Sequence, residues 1–208
     1  ATLSSDTVMA RLAQALDETK GFGYHSAGDV DQAMQGAATS ITADYRAPYL
    51  AHAALEPINC TVQVQDGAAQ VWTSTQVPGL ARMAAAKALG MDEEKVTVHQ
   101  LLLGGGFGRR LEVDYVAQAA AIAQAAGGAP VQTLWSREQD TQHDFYRPAC
   151  MARFKAGFDA QGQLVAWHNL SVGQAIVPQV LARTFGLPGA GPDKTASEGA
   201  FDQPYEWP

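Results

Sequence analysis

Apolar residues recur at helical spacing near the start of the chain. Val8, Leu12, Ala15 and Leu16 stand at i, i+4, i+7 and i+8, with Ser4 or Ser5 ahead of them and Gly21 behind. The spacing predicts a first helix. Asp29-Val30-Asp31-Gln32 has the form of a capping-box variant and predicts a short helix through Ala38. Ile41 to Ala47 reads as a strand. Thr61 to Gln65 and Ala69 to Thr73 flank Asp66-Gly67, a two-residue hairpin signal. Pro78 suits a first helical turn and Gly90 the position just past a helix end. Leu80, Met83, Ala84, Lys87 and Ala88 form the stripe this helix is expected to pack.

Val96 to Leu103 is the next strand. Glu112 to Ala126 is helix-like, with Val113, Val116, Ala117 and Ala120 as its packed face and Gly127-Gly128 as its stop. Val131 to Trp135 reads as a strand. Ala152, Phe154, Ala156 and Phe158 alternate with Arg153, Lys155 and Gly157, a half-buried strand that Asp159-Ala160-Gln161-Gly162 turns into Leu164 to Val172. This order predicts an α+β fold of mixed sheets with packed helices. Beyond Val177 the chain is punctuated by Pro178, Gly186, Pro188, Gly189, Gly191, Pro192, Gly199, Pro204 and Pro208. Residues 1–177 are therefore expected to form one domain, and 178–208 an extended Pro/Gly-rich connector that lies against another part of a longer protein.

Composition narrows the function classes. The chain has 208 residues, 47 % of them hydrophobic, enough to bury a core. A net charge of −7 and the lack of a basic stripe argue against nucleic acid as a partner. No stretch is long and apolar enough for a transmembrane segment. The two cysteines, Cys60 and Cys150, cannot make a four-thiolate iron–sulfur or zinc site, and two buried free thiols are expected. His52 and Glu56 stand at i, i+4, but no further His or Cys joins them, so no direct metal ligation by side chains is expected.

The candidate chemistry lies in Gly104-Gly105-Gly106-Phe107-Gly108-Arg109-Arg110, between the strand and the helix. Three successive glycines remove every Cβ where a strand turns toward a helix, so a ligand can lie directly on the amides. The loop is not a Walker loop, since no Lys-Ser/Thr pair ends it, and it lacks the third glycine of Gly-x-Gly-x-x-Gly. By itself it is equally a plain connection or a ligand loop. A nucleotide-binding reading would have Arg109 and Arg110 meet phosphates, and a third reading is an interaction or structural lobe.

Two further elements accompany it. Thr73-Ser74-Thr75-Gln76 ends a strand before Pro78, and Ala51-His52-Ala53-Ala54-Leu55-Glu56-Pro57-Ile58-Asn59-Cys60 precedes the hairpin. In this order the three resemble the molybdenum-cofactor-binding large subunit of the xanthine dehydrogenase/aldehyde oxidase family, closest to the isoquinoline 1-oxidoreductase beta-subunit type. The resemblance runs from about Asp29 to Val172. It implies part of a molybdenum hydroxylase that oxidises aldehydes or hydroxylates N-heteroaromatic rings with oxygen from water. The cofactor implied is molybdopterin, plain or as its cytosine dinucleotide. Iron–sulfur clusters are implied on a partner small subunit, and the remainder of the large subunit is implied as a second partner.

On the same resemblance Gln76 hydrogen-bonds the metal's oxo group. Gly105, Gly106, Phe107 and Gly108 approach the pterin and metal, and Phe107 and Arg147 border the substrate. Ser136 to Asp140, His143 and Asp144 are polar and fit either the same entrance or a solvated turn. Two departures stand out. Leu111 occupies the place of the xanthine branch's substrate-handling glutamate, with Glu112 one residue later, so purine specificity is not implied. The family's glycine–glutamate base motif has no match, so no catalytic residue is assigned here and the base is expected elsewhere in the longer protein. The compartment, cytoplasmic or periplasmic by way of a twin-arginine signal on a precursor, is not legible.

Overall fold

The computed structural model of the protein describes residues 3–18, 20–189 and 191–205, so Pro208 lies outside the described residues. In chain order the elements are α1 (Ser5–Glu18), α2 (Val30–Gly36), β1 (Thr39–Ala47), β2 (Asn59–Gln65), β3 (Ala68–Thr73), α3 (Pro78–Leu89), β4 (Val96–Gln100), α4 (Asp114–Gln124), β5 (Val131–Leu134), α5 (Arg137–Gln142), β6 (Cys150–Phe158), β7 (Leu164–Gly173) and α6 (Val177–Phe185). The α+β expectation is met. The chain divides into two compact units: one holds the residues up to Leu50 and from Pro148 on, the other is Ala51–Arg147. No described helix is long and apolar enough to cross a membrane.

In the first unit an antiparallel sheet runs β1-β6-β7, with α1 and α2 packed on it. Ser4 starts α1 by accepting from the Thr7 amide at 3.2 Å, and Asp29 caps α2 by accepting from the Gln32 amide at 3.0 Å. Helix α2 stops at Gly36, short of Ala38, because the Ala38 amide is taken by the Phe158 carbonyl at 2.8 Å as the chain enters β1. Helix α6 forms where an extended stretch was expected. Pro178 fits its first turn, and Gly186, at φ +66°, ends it, so two residues read as loop punctuation are the helix's own start and stop.

The second unit carries a mixed sheet in the order β4-β3-β2-β5. Asp66 and Gly67, at φ +52° and +74°, close the β2–β3 hairpin. Helix α3 crosses over between the parallel pair β3 and β4, and α4 packs on α3 and β2. The α3 stripe differs from expectation, while on α4 the expected Val116 and Ala120 are buried and Val113 packs against the core. Helix α3 buries Ala81, Ala85, Ala86 and Leu89 and leaves Lys87 exposed, while α4 buries Tyr115, Val116, Ala119, Ala120 and Ala123. The expected stripe on α3, Leu80, Met83, Ala84, Lys87 and Ala88, is offset by about one residue from the face that is buried.

Strand β4 ends at Gln100. Leu101 to Leu103 leave the sheet, with Leu102 almost fully exposed, and a tight turn at Arg109–Leu111 delays α4 to Asp114. The segment from Ser136, expected as a polar entrance or turn, is the start of α5: Ser136 and Gln139 form a reciprocal capping box. Both cysteines are free. Cys60 is buried and its thiol pushed up to about 11 by that burial; Cys150, at the start of β6, is exposed, which corrects the expectation of a second buried thiol.

Candidate functional site

Everything distinctive in Ala51–Arg147 converges on the glycine loop. Gly105 and Gly108 take φ of +105° and +102°, and Phe107 takes +54°, a conformation that L side chains rarely adopt. Space is tight around the glycines, most of all at Gly104. A Cβ on Gly104 would collide with Glu56, one on Gly106 would lie 2.6 Å from Gln76 Oε1, and one on Gly105 would come within 3.2 Å of Ala54 Cβ. The loop is thus pressed on one side against the segments around Glu56 and Gln76. Phe107 is exposed and outside the core, and its ring lies back toward Gly105.

Gln76 Oε1 accepts from the Gly108 amide at 3.1 Å. A backbone N–H can only donate, so this bond fixes which end of the side-chain amide faces the loop. The NH2 end is left free: it makes no hydrogen bond among the described residues, and Gln76 is exposed. The structure therefore brings Gln76, Gly106 and Gly108 together. Arg147 is exposed, and its side chain makes no hydrogen bond or ion pair that would join it to the loop.

The two arginines after the loop do not face outward. Arg110 is fully buried and donates all five of its N–H groups: Nε to the Gly105 carbonyl at 2.9 Å, one terminal nitrogen to the Ser74 carbonyl at 3.0 Å and Ser74 Oγ at 2.7 Å, the other to the Glu56 carbonyl at 3.0 Å and Glu56 Oε2 at 2.8 Å. Its own carbonyl accepts from the Gln76 amide and from Thr75 Oγ1, both at 3.1 Å. Glu56 in turn accepts from Asn59, Ser74 and the Gly104 amide. Burial resists the charged form of Glu56, but those donors and the Arg110 charge outweigh it and hold the carboxyl below its usual range.

Arg109 is equally buried. It pairs bidentately with Asp114 at 2.9 and 3.0 Å, and its guanidinium lies 5.1 Å from the Phe145 ring centroid. Its Nε stands 3.4 Å from Asp144, within ion-pair range but without hydrogen-bond geometry. Asp144 accepts from the His52 amide at 2.6 Å and pairs with His52 Nδ1 at 2.8 Å, and the His52 ring borders Gly108. His52 and Glu56 thus point to different partners, Asp144 and Arg110. Arg109 and Arg110 are both consumed internally, which removes the reading in which they meet phosphates. The buried network that joins Glu56, Ser74 and Arg110, and the tie of Asp144 to His52 and Arg109, were not foreseen, although Asp144 stands among the entrance candidates and Arg110 among the phosphate-binding ones. The available signal was a pair of arginines directly behind a glycine run, each needing a carboxylate if buried.

The fold is of the α+β class, and its unit Ala51–Arg147 carries a glycine loop beside the side-chain amide of Gln76. Residues 13–175 match the model of the molybdopterin cofactor-binding domain, and the chain belongs to that family. The family recognised from the three motifs is thereby borne out. Over 113 residues the chain is 40 % identical to the isoquinoline 1-oxidoreductase subunit beta of Brevundimonas diminuta, covering 54 % of this chain and 14 % of that protein. Over 137 residues it is 37 % identical to a protein of Gluconacetobacter polyoxogenes named membrane-bound aldehyde dehydrogenase [pyrroloquinoline-quinone], covering 66 % and 18 %. The aldehyde oxidoreductase of Desulfovibrio gigas shares the fold at a TM-score of 0.60 and 20 % identity, over 70 % of this chain and 16 % of that one. The chain thus spans less than a fifth of the length of these relatives.

Proposed function

We propose that this chain supplies one wall of a molybdopterin site in a longer molybdenum hydroxylase, which oxidises aldehydes or hydroxylates N-heteroaromatic rings with oxygen from water. The observation that carries the reading is the orientation of Gln76. Its oxygen is occupied by Gly108 N–H, so its NH2 group is the end left to donate to an oxo ligand. A neutral amide suits that task, since it polarises an acceptor without competing to ligate the metal.

The residues are compatible with the cofactor. Gly105 and Gly108 leave partly exposed backbone without side chains, Phe107 stands exposed beside them, and Arg147 is exposed where it could meet a substrate. When bound, the cofactor supplies the redox chemistry and the electron acceptance, while this chain binds and orients. Leu111 is half exposed where the xanthine branch has a glutamate, which favours substrates other than purines. The cofactor's cytosine dinucleotide form, an iron–sulfur small subunit and the rest of the large subunit belong to the same proposal. Exposed Leu55 and Leu102 supply apolar surface for that remaining part to cover.

The test is Gln76→Glu in the full-length protein. The carboxylate keeps an acceptor for Gly108 N–H but replaces the free donor with a second acceptor. Molybdenum measured by elemental analysis is expected to stay bound while turnover falls by on the order of 100-fold or more. Unchanged turnover at full molybdenum content overturns the role given to Gln76.

A further inference from the structure

We infer that Arg110 is a positioning residue, a buried clasp that sets the distance between Gln76 and the glycine loop. Three segments far apart in sequence meet on this one side chain: Glu56 before the hairpin, Ser74 at the end of β3 and Gly105 in the loop. Its backbone adds the fourth tie, because its carbonyl receives the Gln76 amide. Burying a cation is strongly unfavourable unless every donor is paired and a counter-charge is present. Arg110 meets both conditions, with five donors on five acceptors and Glu56 as counter-ion.

The arrangement is specific to arginine. The planar fork reaches acceptors in several directions at once, whereas a lysine ammonium would sit at a single point and leave several of the five acceptors unmet. Glu56 completes the lock from the other side, since its amide donates to the Gly104 carbonyl at 3.0 Å while its Oε2 accepts from the Gly104 amide at 2.9 Å. The loop's first two residues are therefore held by Glu56 and Arg110, and its fourth glycine by Gln76. A glycine loop this free in φ would otherwise sample many conformations. The relevance of this clasp to cofactor binding rests on the function proposed above; the clasp itself does not.

The experiment is hydrogen–deuterium exchange on the full-length protein carrying Arg110→Lys, with molybdenum content measured on the same samples. The Gly104 and Gly108 amides, the two in the loop that hold hydrogen bonds, are expected to exchange about tenfold faster or more, because the charge-assisted bonds that hold the loop are lost. Amides of β2 and β3 are expected to keep their rates. Loop exchange that is unchanged, or that rises equally throughout Ala51–Arg147, overturns the inference. Should Arg110→Lys fail to accumulate folded, Ser74→Ala serves: it removes one acceptor of Arg110 and one donor to Glu56, and about threefold faster loop exchange is expected. Unchanged exchange in that variant overturns the inference equally. Faster loop exchange with full molybdenum retention leaves the clasp standing and removes the cofactor reading of the loop.

Discussion

Gln76 and Gly108 are joined by a hydrogen bond from the Gly108 amide to Gln76 Oε1, 3.1 Å long, across 32 positions of sequence. It ties the segment after β3 to the glycine loop and leaves the side-chain NH2 of Gln76 without a hydrogen-bond partner among the described residues. Gln76→Ala in the full-length protein deletes the tie and the donor together. A neutral hydrogen bond contributes only about 0.5–1.5 kcal/mol to holding a large ligand. The same donor aimed at developing charge is worth on the order of 3 kcal/mol in a transition state. Steady-state rates are therefore expected to fall much more than molybdenum content, and equal losses would count against the assignment.

Glu56 gives the site a dependence on acidity. Its folded-state pKa lies below its ordinary value of 4.5, through hydrogen bonds and the Arg110 charge that together outweigh burial. The unfolded chain therefore takes up the proton first. The stability Glu56 contributes is whole above that ordinary value and is lost as pH falls through the lower folded one. Urea denaturation of the wild type and of Glu56→Gln should differ most above the ordinary carboxylate range, and the gap should narrow as the pH falls below it. A gap that widens on acidification would contradict the pairing.

Asp144 serves His52 and Arg109 from one nearly buried carboxylate. Asp144→Ala leaves Arg109 buried with Asp114 as its remaining carboxylate. Removing a partner from a buried ion pair costs about 3–5 kcal/mol, and the surviving bidentate pair brings the expected loss toward the lower end. Thermal or urea denaturation measures it. A loss no larger than that of a surface substitution would show that Asp114 and the Phe145 and Trp135 rings suffice to hold Arg109.

Much of the fold was legible because local signals agreed with tertiary packing. Asp66-Gly67, Pro78 and Gly90 marked a hairpin and a helix's two ends, and each stands where it was expected. What failed depended on packing between elements. The α3 stripe was displaced because a helix rich in apolar residues all round offers several faces, and packing on α4 and β4 selects the one with Ala81, Ala85, Ala86 and Leu89. Helix α6 was missed because a proline and a glycine that bound a helix also read as loop. At the site, the glycine loop and Gln76 were found as motifs, but the buried network beneath them was not. Nothing local in sequence says that Arg110 turns inward to meet residues 36 and 54 positions earlier.

The 208-residue chain alone is expected to show no turnover with aldehydes or N-heterocycles in a dye-linked assay, because one wall of a cleft cannot preorganise a reactive centre. The complete active enzyme is expected to contain iron, since two cysteines cannot hold the relay that reoxidises the metal. Turnover by the isolated chain above a metal-free control, or an active iron-free enzyme, would contradict these expectations.

The most direct measurement of the central claim is molybdenum content of full-length Gly106→Val beside the wild type, with circular dichroism to confirm folding. A valine there would thrust a branched side chain against Gln76, where an ideal Cβ already lies 2.6 Å from Oε1. The account predicts a folded protein that has lost most of its molybdenum. A folded variant with full molybdenum and normal rates would mean that the glycine loop is only a turn, and the cofactor site would have to lie elsewhere.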